Sequence, residues 1–113
     1  MTDSKDNFFQ MVYKVVELIP KGKVTSYGAI AKYLSSPRSS RMVGWAMNNS
    51  HGVNPGLPAH RVVNRTGFLS GKTYFGLGDE MANLLRSEGI QVENDQILNF
   101  KSHFWDPSEE LNL

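Results

Sequence analysis

The sequence predicts a mainly α domain with a small β element, arranged as a helix-turn-helix of winged-helix-like type. Three observations carry that prediction. Apolar residues recur at helical spacing from Phe8 to Ile19. Two shorter helical stretches, near 26–34 and 39–47, stand on either side of a brief polar turn, the sequence mark of a helix-turn-helix. Beyond residue 58 the pattern changes to short apolar segments set off by glycine and asparagine turns, which read as small strands.

In the first helix Phe8, Phe9, Met11, Val12, Val15, Val16, Leu18 and Ile19 supply the apolar face, Asp3, Ser4 or Asp6 the N-cap and Pro20 the stop. Lys21-Gly22-Lys23 is a turn and Val24-Thr25 is extended. Ser26 then caps a short helix whose apolar face is Ala29, Ile30, Tyr33 and Leu34, ended by Ser35-Ser36-Pro37. The third helix starts near Ser39 or Ser40, carries Met42, Val43, Trp45, Ala46 and Met47, and dissolves in Asn48-Asn49-Ser50-His51-Gly52. Residues 52–58 are loop and Ala59 to Val63 a short extended segment. Leu69 to Gly78, rich in glycine, is either a flexible loop able to approach a ligand closely or a plain set of turns. Asp79 caps a fourth helix bearing Met81, Leu84 and Leu85, with Gly89 just past its end. Ile90 to Val92 and Ile97 to Phe100 are candidate strands around Asn94-Asp95, Phe104-Trp105 packs back on the core, and an acidic tail spans about 106–113, its last six residues frayed. No repeat, low-complexity tract or linker interrupts residues 1–113, so the chain reads as a single domain.

Composition narrows the chemistry. A chain of 113 residues, 40% hydrophobic, builds one small domain with a modest core. The absence of cysteine excludes a disulfide framework, a thiolate metal site and a cysteine nucleophile. No apolar run approaches the roughly 20 residues of a membrane span, and residues 1–6 lack the basic start and apolar stretch of a signal peptide. The expectation is a cytoplasmic protein without membrane contact. Net charge is +1, yet residues 18–78 contain no acid and carry +8, while the flanks carry −7. A basic central half suits a polyanion, since phosphate neutralisation supplies most non-specific nucleic-acid affinity; the alternative is a solvated surface with chance segregation of charge.

The third helix is an unusual major-groove reader. Arg41 and Asn48 are the only forked side chains on its exposed face, while Gly44 and Ala46 let a backbone come close but read little. Small residues with one long cation suit minor-groove approach, with Arg41 as a wedge able to replace an extruded base, and Tyr27 can press or hydrogen-bond a phosphate. Taken singly, Tyr27 reads as a core aromatic and Arg41 as a solvated charge. In Pro58-Ala59-His60-Arg61-Val62-Val63 no nucleophile stands beside His60, and His51, His60 and His103 show no metal-ligand spacing, so neither a metal nor a cofactor is expected.

Three ordered motifs carry a family resemblance: Ile19-Pro20-Lys21-Gly22-Lys23-Val24-Thr25-Ser26-Tyr27-Gly28, Ser39-Ser40-Arg41-Met42-Val43-Gly44 and Pro58-Ala59-His60-Arg61-Val62-Val63. Over about residues 8–90 the chain resembles the C-terminal, DNA-binding domain of O6-alkylguanine-DNA alkyltransferases. In that family the last motif is Pro-Cys-His-Arg-Val, and its cysteine accepts the alkyl group; here the position is Ala59. The chain is also too short for the N-terminal domain of full alkyltransferases. It therefore looks like an alkyltransferase-like protein, the non-catalytic branch in which Trp or Ala stands at the cysteine position.

The resemblance implies a monomeric sensor that binds O6-alkylguanine in double-stranded DNA, flips it, and marks it for nucleotide excision repair proteins, without catalytic residues. Ser26, Tyr27, Arg41, Gly44 and Ala46 would contact DNA, Tyr27 rotating the 3′ phosphate and Arg41 filling the vacated stack. Met47, Pro58, Ala59, His60, Val62 and Lys72 would surround the flipped base, with Lys72 making either a cation–π contact to it or a phosphate contact. His60 and Glu88 match residues that activate the family's thiol and are expected here as hydrogen-bonded structural groups. The family's Tyr-Ser-Gly-Gly loop stands as the longer Thr73-Tyr74-Phe75-Gly76-Leu77-Gly78. The competing readings are a helix-turn-helix regulator without lesion preference, and a hydrolase using His60 or Glu88 as base.

Overall fold

The computed structural model describes residues 4–34, 39–76 and 78–111. Helix α1, Ser4–Glu17, buries Phe9, Val12, Tyr13 and Val16, an i, i+3, i+4, i+7 stripe, together with Val15. Met11 and Leu18, expected on that face, lie seven residues apart on the opposite one and are exposed. Asp3, one of the expected caps, lies outside the described residues. The helix closes before Pro20 with Leu18 and Ile19 amides donating back to the Val15 and Val16 carbonyls.

Strand β1, Thr25–Ser26, leads into α2, Tyr27–Tyr33, where the Ser26 hydroxyl accepts from the Ala29 amide at 3.1 Å, the cap foreseen from sequence. The expected stop at Ser35-Ser36-Pro37 lies outside the described residues, as does Arg38. Helix α3, Ser40–Val53, runs through the stretch where the sequence predicted it to dissolve. Tertiary bonds override the low propensity of the Asn48-Asn49-Ser50 run: Asn49 Nδ2 donates to the Tyr13 hydroxyl at 3.1 Å and Tyr13 donates to the Ala46 carbonyl at 2.9 Å, while buried Ser50 satisfies its hydroxyl within the helix on the Met47 carbonyl at 2.6 Å. Helices α2 and α3 pack together as the helix-turn-helix, with α1 behind α3.

Ala59–Arg61 forms a 3₁₀ turn instead of the extended segment expected there, and only Val62–Val63 is strand, β2, paired in parallel with β1 in the register Thr25 to Val62 and Ser26 to Val63. Successive strand residues face opposite ways. Val62 joins a core with α1, α2, α3 and Trp105, whereas Val63 joins a second core with Val24, Leu69, Met81, Leu85, Ile90, Val92 and Ile97. The strand pair thus stands between two cores, and the turn that precedes β2 emerges at their seam.

The glycine-rich segment is more ordered than a flexible loop: Leu69 is fully buried and Lys72–Phe75 makes a 3₁₀ turn, Leu77 lying outside the described residues. Helix α4, Glu80–Ser87, begins after Asp79, which offers its carbonyl to the Asn83 amide while its side chain makes no cap bond. The helix ends in a Schellman motif, with Gly89 at φ +87° and the Ile90 and Gly89 amides donating to Leu85 and Arg86 carbonyls. A hairpin of β3, Val92–Glu93, and β4, Gln96–Ile97, turns through Asn94 and Asp95 at φ 51° and 62°, forming a small wing that Phe68 joins by a bridge to Gln96. Phe100, expected in a strand, instead opens α5, Phe100–His103, after left-handed Asn99. Residues 106–111 of the acidic end are folded rather than frayed, 112 and 113 lying outside the described residues: Asp106 accepts from the Ser108 amide at 2.9 Å to cap α6, Pro107–Glu110, which packs on α2 and places Leu111 against the first core. No helix among the described residues is long and apolar enough to cross a membrane.

Candidate nucleic-acid interface

Packing divides α3 into two faces. Val43, Ala46, Met47 and Ser50 point into the protein, and Arg41, Gly44, Trp45 and Asn48 line an open depression with Tyr27 and Ser40. Of the residues expected at DNA, Tyr27, Arg41 and Gly44 are therefore on this face. Ser26 is buried and spends its hydroxyl on the α2 cap, and Ala46 is fully buried in the core. Arg41 is exposed and makes no ion pair among the described residues. Tyr27 is half-buried; burial pushes its phenol above the ordinary value, against a hydrogen bond from Ser70 that acts the other way. A Cβ at Gly71 would stand 2.9 Å from the Tyr27 hydroxyl, so any side chain there would push the phenol aside. Trp45, not among the residues expected at DNA, is half-exposed and belongs to the depression. A helical wheel separates it by about 200° from Val43, so the signal was present.

At the C-terminal end of α3 lies a cavity of about 380 Å³. Its walls are the last turn of α3 with Ser50, His51 and Asn54, the segment from Pro55 to Arg61, Phe75 from the 3₁₀ turn, and Leu84 from α4. Pro58, Ala59 and His60 line it as expected from sequence. Met47 and Val62 are instead packed in the core, and Lys72 is not on the lining. His51 stands edge-on to Phe75 with ring centroids 4.5 Å apart and stacks on Tyr74 at 6.4 Å; burial lowers its pKa from the ordinary histidine value. His51 and Phe75 escaped the sequence reading because one lay in a helix expected to have ended and the other in a presumed loop. Leu84 was expected only as one of the apolar residues of the fourth helix, yet of the adjacent pair Leu84-Leu85 only Leu85 is buried.

One carboxylate holds the cavity wall. Glu88 Oε2 meets His60 Nε2 at 2.7 Å and accepts from Arg61 Nη2 at 2.8 Å, while Oε1 accepts from Arg61 Nε at 3.0 Å and the Gly22 amide at 3.1 Å. Arg61 Nη1 donates onward to the Ile19 carbonyl at 2.8 Å. Burial alone would raise the Glu88 pKa, but the hydrogen bonds from Arg61, His60 and Gly22 draw it down to about 2. Because Glu88 is ionised at neutral pH, Nε2 of His60 carries the proton of their shared bond. An acid at the C-terminus of α4 opposes the helix dipole, so the network outweighs a local penalty of about 0.3–1 kcal/mol. The expected hydrogen-bonded pair of His60 and Glu88 is in place.

The same bonds revise the charge argument. Arg61 and Lys72 belong to the acid-free central stretch, but the fold brings Glu88 to the first and Asp95 to the second; Lys72 Nζ donates to Asp95 at 2.5 Å, and that bond raises the lysine's pKa. Arg41 makes no ion pair among the described residues and stands at the depression. Among the described residues no three His, Asp or Glu side chains converge as a metal site.

A helix-turn-helix with a small wing, its second helix presenting glycine and an arginine without an ion pair among the described residues, and a cavity at that helix's C-terminal end, defines a nucleic-acid-binding class of domain. Residues 7–90 match the family described as 6-O-methylguanine DNA methyltransferase, DNA binding domain, and the chain belongs to that family. It is 34% identical over 106 residues to alkyltransferase-like protein 1 of Schizosaccharomyces pombe, spanning 90% of this chain and 97% of that one. It is 37% identical over 103 residues to a DNA base-flipping protein of Escherichia coli, spanning 91% and 78%. In three dimensions it is similar to the crystal structure of S. pombe Atl1 in complex with damaged DNA containing O6-carboxymethylguanine, with a TM-score of 0.79 at 34% identity over 95% of this chain and all of the other.

Proposed function

We propose that this protein recognises O6-alkylguanine in duplex DNA, approaching the minor groove with α3 and flipping the lesion into the cavity beside Ala59, with no transfer of the alkyl group. The observation that carries the reading is the place of Ala59: it forms the wall of the cavity at the position where the family motif has its acceptor cysteine, in a chain without cysteine. A methyl side chain has no lone pair to displace an alkyl group, so binding is what the site retains. Flipping costs a few kcal/mol, and a damaged pair lowers that cost, which yields selectivity without chemistry. Tyr27 presses the phosphate beside the lesion, Arg41 occupies the vacated stack, and Pro58, Ala59 and His60 receive the base. Met47 and Val62 support that wall from the core, and the Ser26 cap fixes the start of α2. Lys72 reaches DNA by exchanging Asp95 for a phosphate or a base. The protein acts in the cytoplasm, nucleoid-associated when bound, and hands the lesion to nucleotide excision repair.

Fluorescence titration at fixed salt of a duplex with one central O6-methylguanine, against the same duplex with guanine, tests this. Tighter binding to the lesion with the methyl group retained is expected; equal, salt-sensitive binding to both would leave a general helix-turn-helix binder. Close backbone approach has its own test at Gly44. A Cβ there meets nothing within 4 Å in the free protein, so packing does not require glycine. Gly44→Ala is expected to stabilise the fold by about 0.5–1 kcal/mol while weakening DNA binding. Urea melts and titrations of the same variant should move in opposite directions.

A further inference from the structure

Trp45 is the largest side chain on the outer face of α3, and half of it is in water although indoles are among the side chains buried most on average. It sits four residues after Arg41, so the two neighbour one another on the helix surface, with Gly44 between them on the depression. Residues 40–53 contain no acid. A helix with its side chains is about 10–12 Å across, whereas the minor groove is about 6 Å wide. Gly44 removes the side chain at the point of contact but does not by itself open the groove. Proteins that bind this groove open it with apolar wedges pressed against a partly unstacked step.

We propose that Trp45 is such a wedge, a positioning residue that packs its indole on the deoxyribose and base face beside the vacated position and holds the step open for Arg41. The inference rests on the lesion-flipping reading and adds to it a contact made by this helix face. An exposed indole next to bare backbone and a guanidinium fits a surface that is apolar at the base, polar at the sugar and anionic at the phosphate.

The test uses the full chain, the O6-methylguanine and guanine duplexes with 2-aminopurine next to the central position, and the variants Trp45→Ala and Trp45→Phe. Trp45→Ala is expected to lose about tenfold in affinity for the lesion duplex, in the range of base–aromatic stacking, and to brighten 2-aminopurine less. Its salt dependence should stay as in the wild type, because indole neutralises no phosphate, and Trp45→Phe should recover most of the loss. Affinity within twofold of wild type with unchanged brightening overturns the wedge while leaving lesion recognition intact. Absence of lesion preference in the wild type removes the flipping reading, yet a tenfold loss by Trp45→Ala on the undamaged duplex would still support the groove contact. Self-association of the free wild type that Trp45→Ala abolishes would assign the indole to a protein interface and overturn the proposal.

Discussion

Glu88→Ala should lower the stability of the protein by about 3 kcal/mol, the loss typical of removing one partner from a buried charged network. The substitution leaves the Arg61 guanidinium, the His60 ring and the Gly22 amide without their shared acceptor, and these three groups belong to the cavity wall and the turn after α1. Acid should reproduce the loss in the wild type. The folded-state pKa of Glu88 is about 2, below its ordinary 4.5, so the stabilisation is fully present above about pH 4.5 and disappears as pH falls toward 2. Urea unfolding of the wild type and of Glu88→Gln at several pH values between 2 and 7 checks both routes. The difference between the two proteins should be large at pH 7 and shrink through that window. A difference that stays constant with pH would mean that the carboxylate contributes by packing alone.

That network also marks where sequence reasoning reaches its end. Local signals were legible wherever one short stretch decides the outcome: the stripe in α1, the Ser26 cap, the Gly89 terminus and the Asn94-Asp95 hairpin each depend on a few adjacent residues. The motif around Ala59 could be read as a pocket wall only through its resemblance to the family motif, since its residue types alone name no pocket. The partners that complete the site come from elsewhere in the chain. Glu88 reaches Arg61 across 27 residues, Asn49 reaches Tyr13 across 36, and no spacing rule announces either contact. The continuation of α3 to Val53 follows from the second of these bonds, and with it the place of His51 at the cavity. Charge was misleading in the same way, since counting along the chain cannot tell that Arg61 and Lys72 are each matched by an acid from the distant flank. What the fold leaves unmatched is more informative than the sum.

Arg41→Ala should therefore be the most damaging substitution for lesion binding, with a loss of about 10- to 100-fold on the O6-methylguanine duplex, as expected when a stacking group worth about 1–3 kcal/mol is removed. On undamaged duplex the same variant should lose only a few-fold, the share of one phosphate contact. The side chain is exposed and free of ion pairs among the described residues, so its removal disturbs no internal bond and the melting curve should not move. Arg41→Lys separates the two possible contributions. Lysine keeps the charge and the phosphate contact but has no planar face to lie in a base stack. If Arg41 fills the space left by an extruded nucleotide, lysine should restore binding to undamaged DNA and its salt dependence, and fail to restore lesion preference. Full rescue by lysine on both duplexes would reduce Arg41 to a phosphate charge and move the burden of holding the opened step to Trp45 and Tyr27 on the same face.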